Sequence, residues 1–274
     1  MAHYIHKFRT EPEFQTARRD GYSEPWVSLT VESDNRVVYN KTEDEKLLGA
    51  PFTIETLGSG NITWKLGAKT VQYSKNGGAW ETMNSATTIS VVEGDEVQFK
   101  GTNTNYSGNT ISATTQFNVK GNIMSLTNGD NFETSDTVKT NSFRGLFKGC
   151  TYLMSSCNLK LPATTLAGNC YYGMFQDCTS LATAPELPAE ALIDYCYEYM
   201  FNGCSSLNYI KALFIEMWVD NVDDPQYPDN LAIVNWLDGV AQTGTFVKNE
   251  FSYWAQFNEY TIPSRWHVET TVPD

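Results

Sequence analysis

The sequence contains no run of 18 apolar residues, so no segment is expected to cross a bilayer as a helix. Histidine is nearly missing: among 274 residues there are only His3, His6 and His267. His3 and His6 make an H-x-x-H spacing, but without an accompanying Glu or a helical frame it does not read as a metal site. No C-x₂-C pair occurs, and zinc sites usually need one. G-x-S-x-G, P-loop and dinucleotide fingerprints are also absent. A carboxylate pair for glycoside hydrolysis is set in space rather than in sequence, and no particular pair stands out. A non-enzymatic chain without cofactor is therefore expected.

Positive charge is scarce as well. Nineteen Lys+Arg face 32 Asp+Glu, a net charge of −13, which a nucleic-acid backbone would repel. From Phe143 onward the balance is 6 basic to 15 acidic residues, whereas residues 1–42 carry 6 of each. Solubility is a sufficient reason for that excess. The opening MAHYIHKFRTEPEF has neither an apolar core of signal-peptide length nor a small-residue cleavage pattern. If Met1 is the natural start, export by the usual secretory route is not expected.

What is present favours strands. Hydrophobic residues make up 41%, charged residues only 19%, and Gly, Asn, Thr and Tyr are frequent. The predicted fold class is mainly β: an N-terminal hairpin or anchor segment, an immunoglobulin-like β-sandwich, then a short repeat solenoid with a C-terminal cap. The expected boundaries are 1–42 for the anchoring segment, 43–130 for the sandwich, 131–212 for the solenoid and 213–274 for the cap.

In the first segment, Pro12 to Arg19 can form a short helix with Thr10 as its N-cap. PWVSLTV and RVVYN flank Glu32 to Arg36 as a hairpin, marginal unless a host surface covers it. The sandwich is predicted from PFTIETL, NITWKL, TVQYS, AWETM, TTISVV, EVQFKG, TTQFNVKG and IMSL, short runs broken by turn chemistry. Lys75-Asn76-Gly77-Gly78 reads as a hairpin turn, because Asn and Gly tolerate positive φ, and Glu93-Gly94-Asp95 reads as another turn. The polar stretch 101–109 reads as a surface loop.

The strongest signal is a repeat. Residues 161–186 (LPATTLAGNCYYGMFQDCTSLATAPE) align without gaps on residues 187–212 (LPAEALIDYCYEYMFNGCSSLNYIKA). An earlier degenerate copy contributes Phe147, Cys150 and Leu153 in register with Phe175, Cys178 and Leu181, then Phe201, Cys204 and Leu207. A fixed period of this size marks a solenoid. Ordering one residue costs roughly 1–2 kcal/mol of backbone entropy. Burying one large apolar side chain returns about 1.5–3 kcal/mol, so a single unit cannot stand alone. Leu166 with Leu192, Met174 with Met200, Phe175 with Phe201, Cys178 with Cys204 and Leu181 with Leu207 are expected to form rows. All six cysteines lie between 150 and 204, and Cys170–Cys178 and Cys196–Cys204 repeat with the period of the fold, which fits small buried thiols, with disulfides as the alternative. Trp218, Trp236, Trp254 and Trp266 after the repeats fit a lid on the last unit better than a ligand cage.

The L-P-A-T-T-L…C-Y-x-x-M-F-x-x-C-T-S-L frame resembles the BspA-like leucine-rich repeat family, over about 130 residues from Phe143 to Val268. The ending resembles that family's C-terminal cap through Leu237 to Val240, Thr243 to Val247 and Ile262 to Val268. Arg265 stands where Gly is usual. Such repeats occur in surface proteins of gut anaerobes and in structural proteins of their phages, and the stretch Glu24 to Lys41 resembles leaders of the phage proteins.

The resemblance implies a virion structural protein, a head or tail fibre or capsid decoration. A bacterial cell-surface adhesin or carbohydrate-binding protein is the alternative. Phe8, Phe14, Tyr22 and Trp26 are candidates for docking to other virion proteins. A homo-oligomer, by analogy a trimer, is expected. Outward positions where the clean repeats differ nominate Tyr172, Tyr195, Glu198 and Tyr199 for contact with a host glycan or protein, against ordinary solvent-facing variation. Asp220, Asp223, Asp224 and Asp229 form either a solvated acidic loop or a calcium site without the EF-hand order of ligands.

Overall fold

The computed structural model describes residues 28–31, 37–215, 231–252 and 262–271. The predicted helix at Pro12–Arg19 and the docking candidates Phe8, Phe14, Tyr22 and Trp26 lie outside them, as do Trp218, Trp254 and the acidic residues 220–229. The chain divides into two compact units, Met1–Asp44 and Glu45–Asp274. Within the first, β1 (Ser28–Val31) pairs antiparallel with β2 (Val37–Asn40), Leu29 opposite Tyr39. A short helix, α1 (Glu43–Leu48), follows. No helix among the described residues is long and apolar enough to cross a membrane.

The second unit is mainly β. Its first part supplies β3 (Phe52–Thr56), β4 (Gly60–Trp64), β5 (Val71–Lys75), β6 (Glu81–Met83), β7 (Thr88–Val91), β8 (Glu96–Lys100), β9 (Ile111–Ala113) and β10 (Phe117–Asn122). Alternation does the sorting: in β8 Val97 and Phe99 are buried, and in β10 Phe117 and Val119 are, while their neighbours are less so. One sheet runs β11-β10-β3-β8-β5-β6, where β11 is Leu153–Lys160, and a second runs β7-β4-β9. The two share one core, in which Trp64 of β4 meets Phe99 of β8 edge-on at 5.6 Å.

The turn between β5 and β6 carries Asn76 and Gly77 at φ 52° and 70°, the left-handed region where these two residues cost least. The IMSL run differs from its expected strand. Ile123 and Met124 are in a turn, and Ser125 opens the helix α2 (Ser125–Asn128). The cause is polar: the Ser125 hydroxyl donates to Phe99 O and accepts from Phe52 N–H, and Asn122 Oδ1 accepts from Met124 N–H. These side chains satisfy backbone groups that a ladder would otherwise have to serve.

β10 and β11 pair in parallel. From β11 onward every strand contact runs the same way. Ser155 bridges Thr183 and Thr183 bridges Tyr209, both parallel, and β12 (Tyr209–Ala212), β13 (Thr245–Lys248) and β14 (His267–Thr270) continue in parallel register. The pairing thus passes without a break from the first sheet into the repeats.

Between these strand contacts the chain forms tight turns, at 141–150, 169–178, 195–204 and 231–240, stacked one on the next. Phe143, Gly145, Phe147 and Gly149 donate their N–H groups to the carbonyls of Cys170, Tyr172, Met174 and Gln176 at 2.8–2.9 Å. Tyr171, Gly173, Phe175 and Asp177 donate in the same way to Cys196, Glu198, Met200 and Asn202. Tyr197, Tyr199, Phe201 and Gly203 donate to Ala232, Val234, Trp236 and Asp238. The fourth turn lies in the region expected only as a cap.

Leu166, Leu192, Met174, Met200, Phe175, Phe201, Cys178, Cys204, Leu181 and Leu207 are all buried. Phe147, Phe175 and Phe201 stack nearly parallel with ring centres 5.2 and 5.6 Å apart, and Phe143, Tyr171 and Tyr197 form a second column at 5.7 Å spacing. Both columns reach back into the first part of the unit, through Tyr106 and Phe52, and forward to the buried Trp236. Trp266 is buried beyond it and donates Nε1–H to Ala241 O at 2.8 Å. All six cysteines are free thiols. The Sγ of Cys178 lies 3.0 Å from Phe147 O and that of Cys204 3.0 Å from Phe175 O, so each thiol donates to a carbonyl of the preceding turn.

A candidate binding groove on the stacked turns

The first three turns take left-handed backbone at three equivalent places, and the fourth at the last two of them. The first place holds Asn141, Asn169 and Tyr195, at φ 61°, 57° and 62°. The second holds Gly145, Gly173, Tyr199 and Asn235, and the third Gly149, Asp177, Gly203 and Asp177's later counterpart Gly239, all at positive φ. Gly and Asn enter this region cheaply, whereas a residue such as Tyr pays roughly 1–2 kcal/mol. Tyr195 and Tyr199 are therefore strained at positions that other turns fill with Asn or Gly.

Beside the second of these places lies an open groove of about 690 Å³. Its walls include Lys65, which follows β4, Arg144 and Lys148 of the first turn, Tyr172 and Gln176 of the second, and Tyr199 of the third. The register of the stack explains the grouping. Arg144, Tyr172 and Glu198 are equivalent residues of successive turns, and so are Lys148, Gln176 and Asn202. The Arg144 guanidinium lies over the Tyr172 ring, 4.0 Å from its centre, and donates from Nη1 to Asn169 Oδ1 at 3.0 Å. The Tyr172 and Tyr199 rings are 5.6 Å apart and tilted by 58°. The Tyr199 hydroxyl accepts from Asn235 Nδ2 at 3.2 Å.

Partial burial pushes both the Tyr172 phenol and the Glu198 carboxyl up. The negative charge of Glu198 adds to the rise at Tyr172, while Arg144 opposes both shifts. Lys65 and Lys148 are exposed and make no ion pair among the described residues. In a chain of net charge −13, three cations converging on one groove are a local reversal of sign.

Of the four surface-contact candidates, the structure brings Tyr172 and Tyr199 together in the groove wall and sets Glu198, half-buried, beside Arg144. Tyr195 is exposed but does not line the groove. Sequence reasoning missed Lys65, Arg144 and Lys148. The last two were within reach: extending the Phe147–Phe175 register back to the degenerate copy sets Arg144 against Tyr172 and Lys148 against Gln176. Lys65 carries no such signal, because it enters from a different part of the fold. Among the described residues, no cluster of His, Cys, Asp or Glu is arranged to hold a metal ion. No family model, curated protein or solved structure matches the chain.

Proposed function

We propose that the chain is a non-enzymatic display protein of a phage particle, a fibre or decoration subunit that docks through its N-terminal segment and presents the stacked turns for contact with a surface or receptor. In this reading residues 131–212 are a BspA-like leucine-rich repeat solenoid, and the two sheets before them are an immunoglobulin-like sandwich that carries it. The observation that carries the proposal is the division of labour within each turn. The inward positions repeat as Phe, Met, Cys and Leu, while the outward ones change from turn to turn and line a groove. A rigid scaffold with one variable face is suited to recognition rather than turnover. The resemblance of Glu24 to Lys41 to phage leaders supports the virion over the cell surface.

Mass spectrometry of purified particles and of host envelope fractions tests this reading. The chain should be found in the particles. Recovery from the envelope alone would favour a bacterial adhesin, and absence from both would overturn the proposal. A homo-oligomer, with three copies expected, should appear as a multiple of the 30.8 kDa chain in solution at micromolar concentration. A persistent monomer would count against a fibre.

A further inference from the structure

We propose that the groove between Lys65 and Tyr199 binds an anionic sugar, a pyranose carrying a carboxylate or sulfate, as one residue of a glycan. The inference rests on the reading of the chain as a contact protein and supplies the chemistry of what is contacted.

Three observations converge. First, the cations come from separate segments: Lys65 follows β4, and Arg144 and Lys148 lie on one turn of the stack. Stacking on Tyr172 and the bond from Nη1 to Asn169 hold the Arg144 guanidinium at the groove wall, a group whose paired N–H donors bind carboxylate and sulfate oxygens well. Second, the aromatic pair Tyr172 and Tyr199 offers apolar ring faces, with Gln176 as a neighbouring amide. Apolar C–H faces beside hydroxyls are what a sugar ring presents, and tyrosine with an amide complements both.

Third, Tyr199 is held at φ 54° where Gly145, Gly173 and Asn235 take the same place. Folding alone would favour glycine or asparagine there, so the Tyr199 side chain is retained against backbone preference at the groove wall. An acidic peptide would recognise the cations as well. Peptides, however, usually gain affinity from an open strand edge or an apolar anchor pocket, and this open groove is lined instead by cationic, amide and phenol side chains. The Glu198 carboxylate, close enough to Arg144 to feel its charge, opposes an anion in the groove, and neutralising it removes that opposition.

The test is calorimetric titration of the full chain with trigalacturonate, a sulfated heparin-derived tetrasaccharide, maltotriose and hexaglutamate. One or both acidic sugars should bind, and binding should weaken as salt is raised. The two acidic arms separate a carboxylate from a sulfate ligand. Arg144→Ala and, at an exposed side chain that controls for folding, Lys148→Ala should each weaken binding by about tenfold. Glu198→Gln should tighten it a few-fold. Tyr199→Gly should lose binding while its melting temperature holds or rises, a combination that a purely structural tyrosine would not give.

Equal binding of maltotriose, equal binding of hexaglutamate, no binding of either acidic sugar, or acidic-sugar binding untouched by these substitutions would each overturn the anionic-sugar assignment. Maltotriose bound and then lost in Tyr199→Gly would do so while leaving the contact-protein reading intact. That broader reading fails separately, through the particle and envelope fractions.

Discussion

The Tyr171 ring is stacked between Phe143 and Tyr197, and its hydroxyl meets no hydrogen-bond partner among the described residues. The equivalent place one turn earlier is a phenylalanine, so the column does not need the oxygen. A buried hydroxyl without a partner costs about 1–3 kcal/mol. Tyr171→Phe is expected to raise stability by about 1 kcal/mol, read as a higher melting temperature; a clear fall would show that the oxygen has a partner. Asp95 is the opposite case. Its carboxylate accepts from Lys75 at 2.7 Å, from Asn76 and from the backbone N–H of Val92, and these bonds hold its pKa at about 2 instead of 3.8. The charged form is therefore favoured by folding. The stability this contributes is complete above the ordinary carboxyl range and disappears as the pH falls from about 4 to 2. In urea titrations, wild type should outlast Asp95→Asn at pH 7, and the gap should narrow steadily below pH 4. A gap unchanged down to pH 2 would remove the carboxylate from the explanation.

At the scale of one turn, the thiols report on packing. Cys150, Cys170, Cys178, Cys196 and Cys204 are buried and Cys157 is exposed on β11. Burial pushes the five inner thiols up, to about 12 for Cys150, Cys170 and Cys204, so their reactive thiolate is scarce at neutral pH. Alkylation of the native chain at pH 8 should stop at one thiol, Cys157, and reach six only after denaturation. A second thiol reacting as fast as Cys157 would mean that a turn opens easily. The rows that bury these thiols were legible because a 26-residue period places like residues at like heights, and the strands of residues 52–122 because apolar residues alternate. Other elements were hidden. Ile111–Ala113 is too short and polar in its surroundings to announce a strand. The turn at 231–240 keeps the hydrogen bonds of the repeat but little of its sequence, with Trp236 near the place of Met200. The groove was read from the sequence in its tyrosines, and the repeat register also carries Arg144 and Lys148, whereas Lys65 reaches it through tertiary structure alone.

Across the second unit, parallel pairing from β10 through β14 and two aromatic columns tie the early sheets to the repeats. A stack of turns that cannot fold singly gains a finished first layer from β10 and Phe52, and a final one from Trp236 and Trp266. Residues 45–271 are therefore expected to unfold in one step, with far-ultraviolet and tryptophan signals superimposing. A chain cut between residues 130 and 131 should give two fragments without cooperative transitions. Two well-separated transitions in the intact chain would overturn this coupling.

The hydrogen-bond ladder between turns also has a simple arithmetic. Each of the first three turns offers four N–H groups forward, and each of the last three presents carbonyls to the turn before it, so an inner layer is interchangeable with its neighbour. Height along the stack is consequently free to change by whole layers. Gene duplication of residues 187–212 would move the far end outward by one ring spacing while keeping both ends and the cationic first turn as they are. Reach, in this architecture, is a matter of copy number, and it can vary without disturbing what lies at either end.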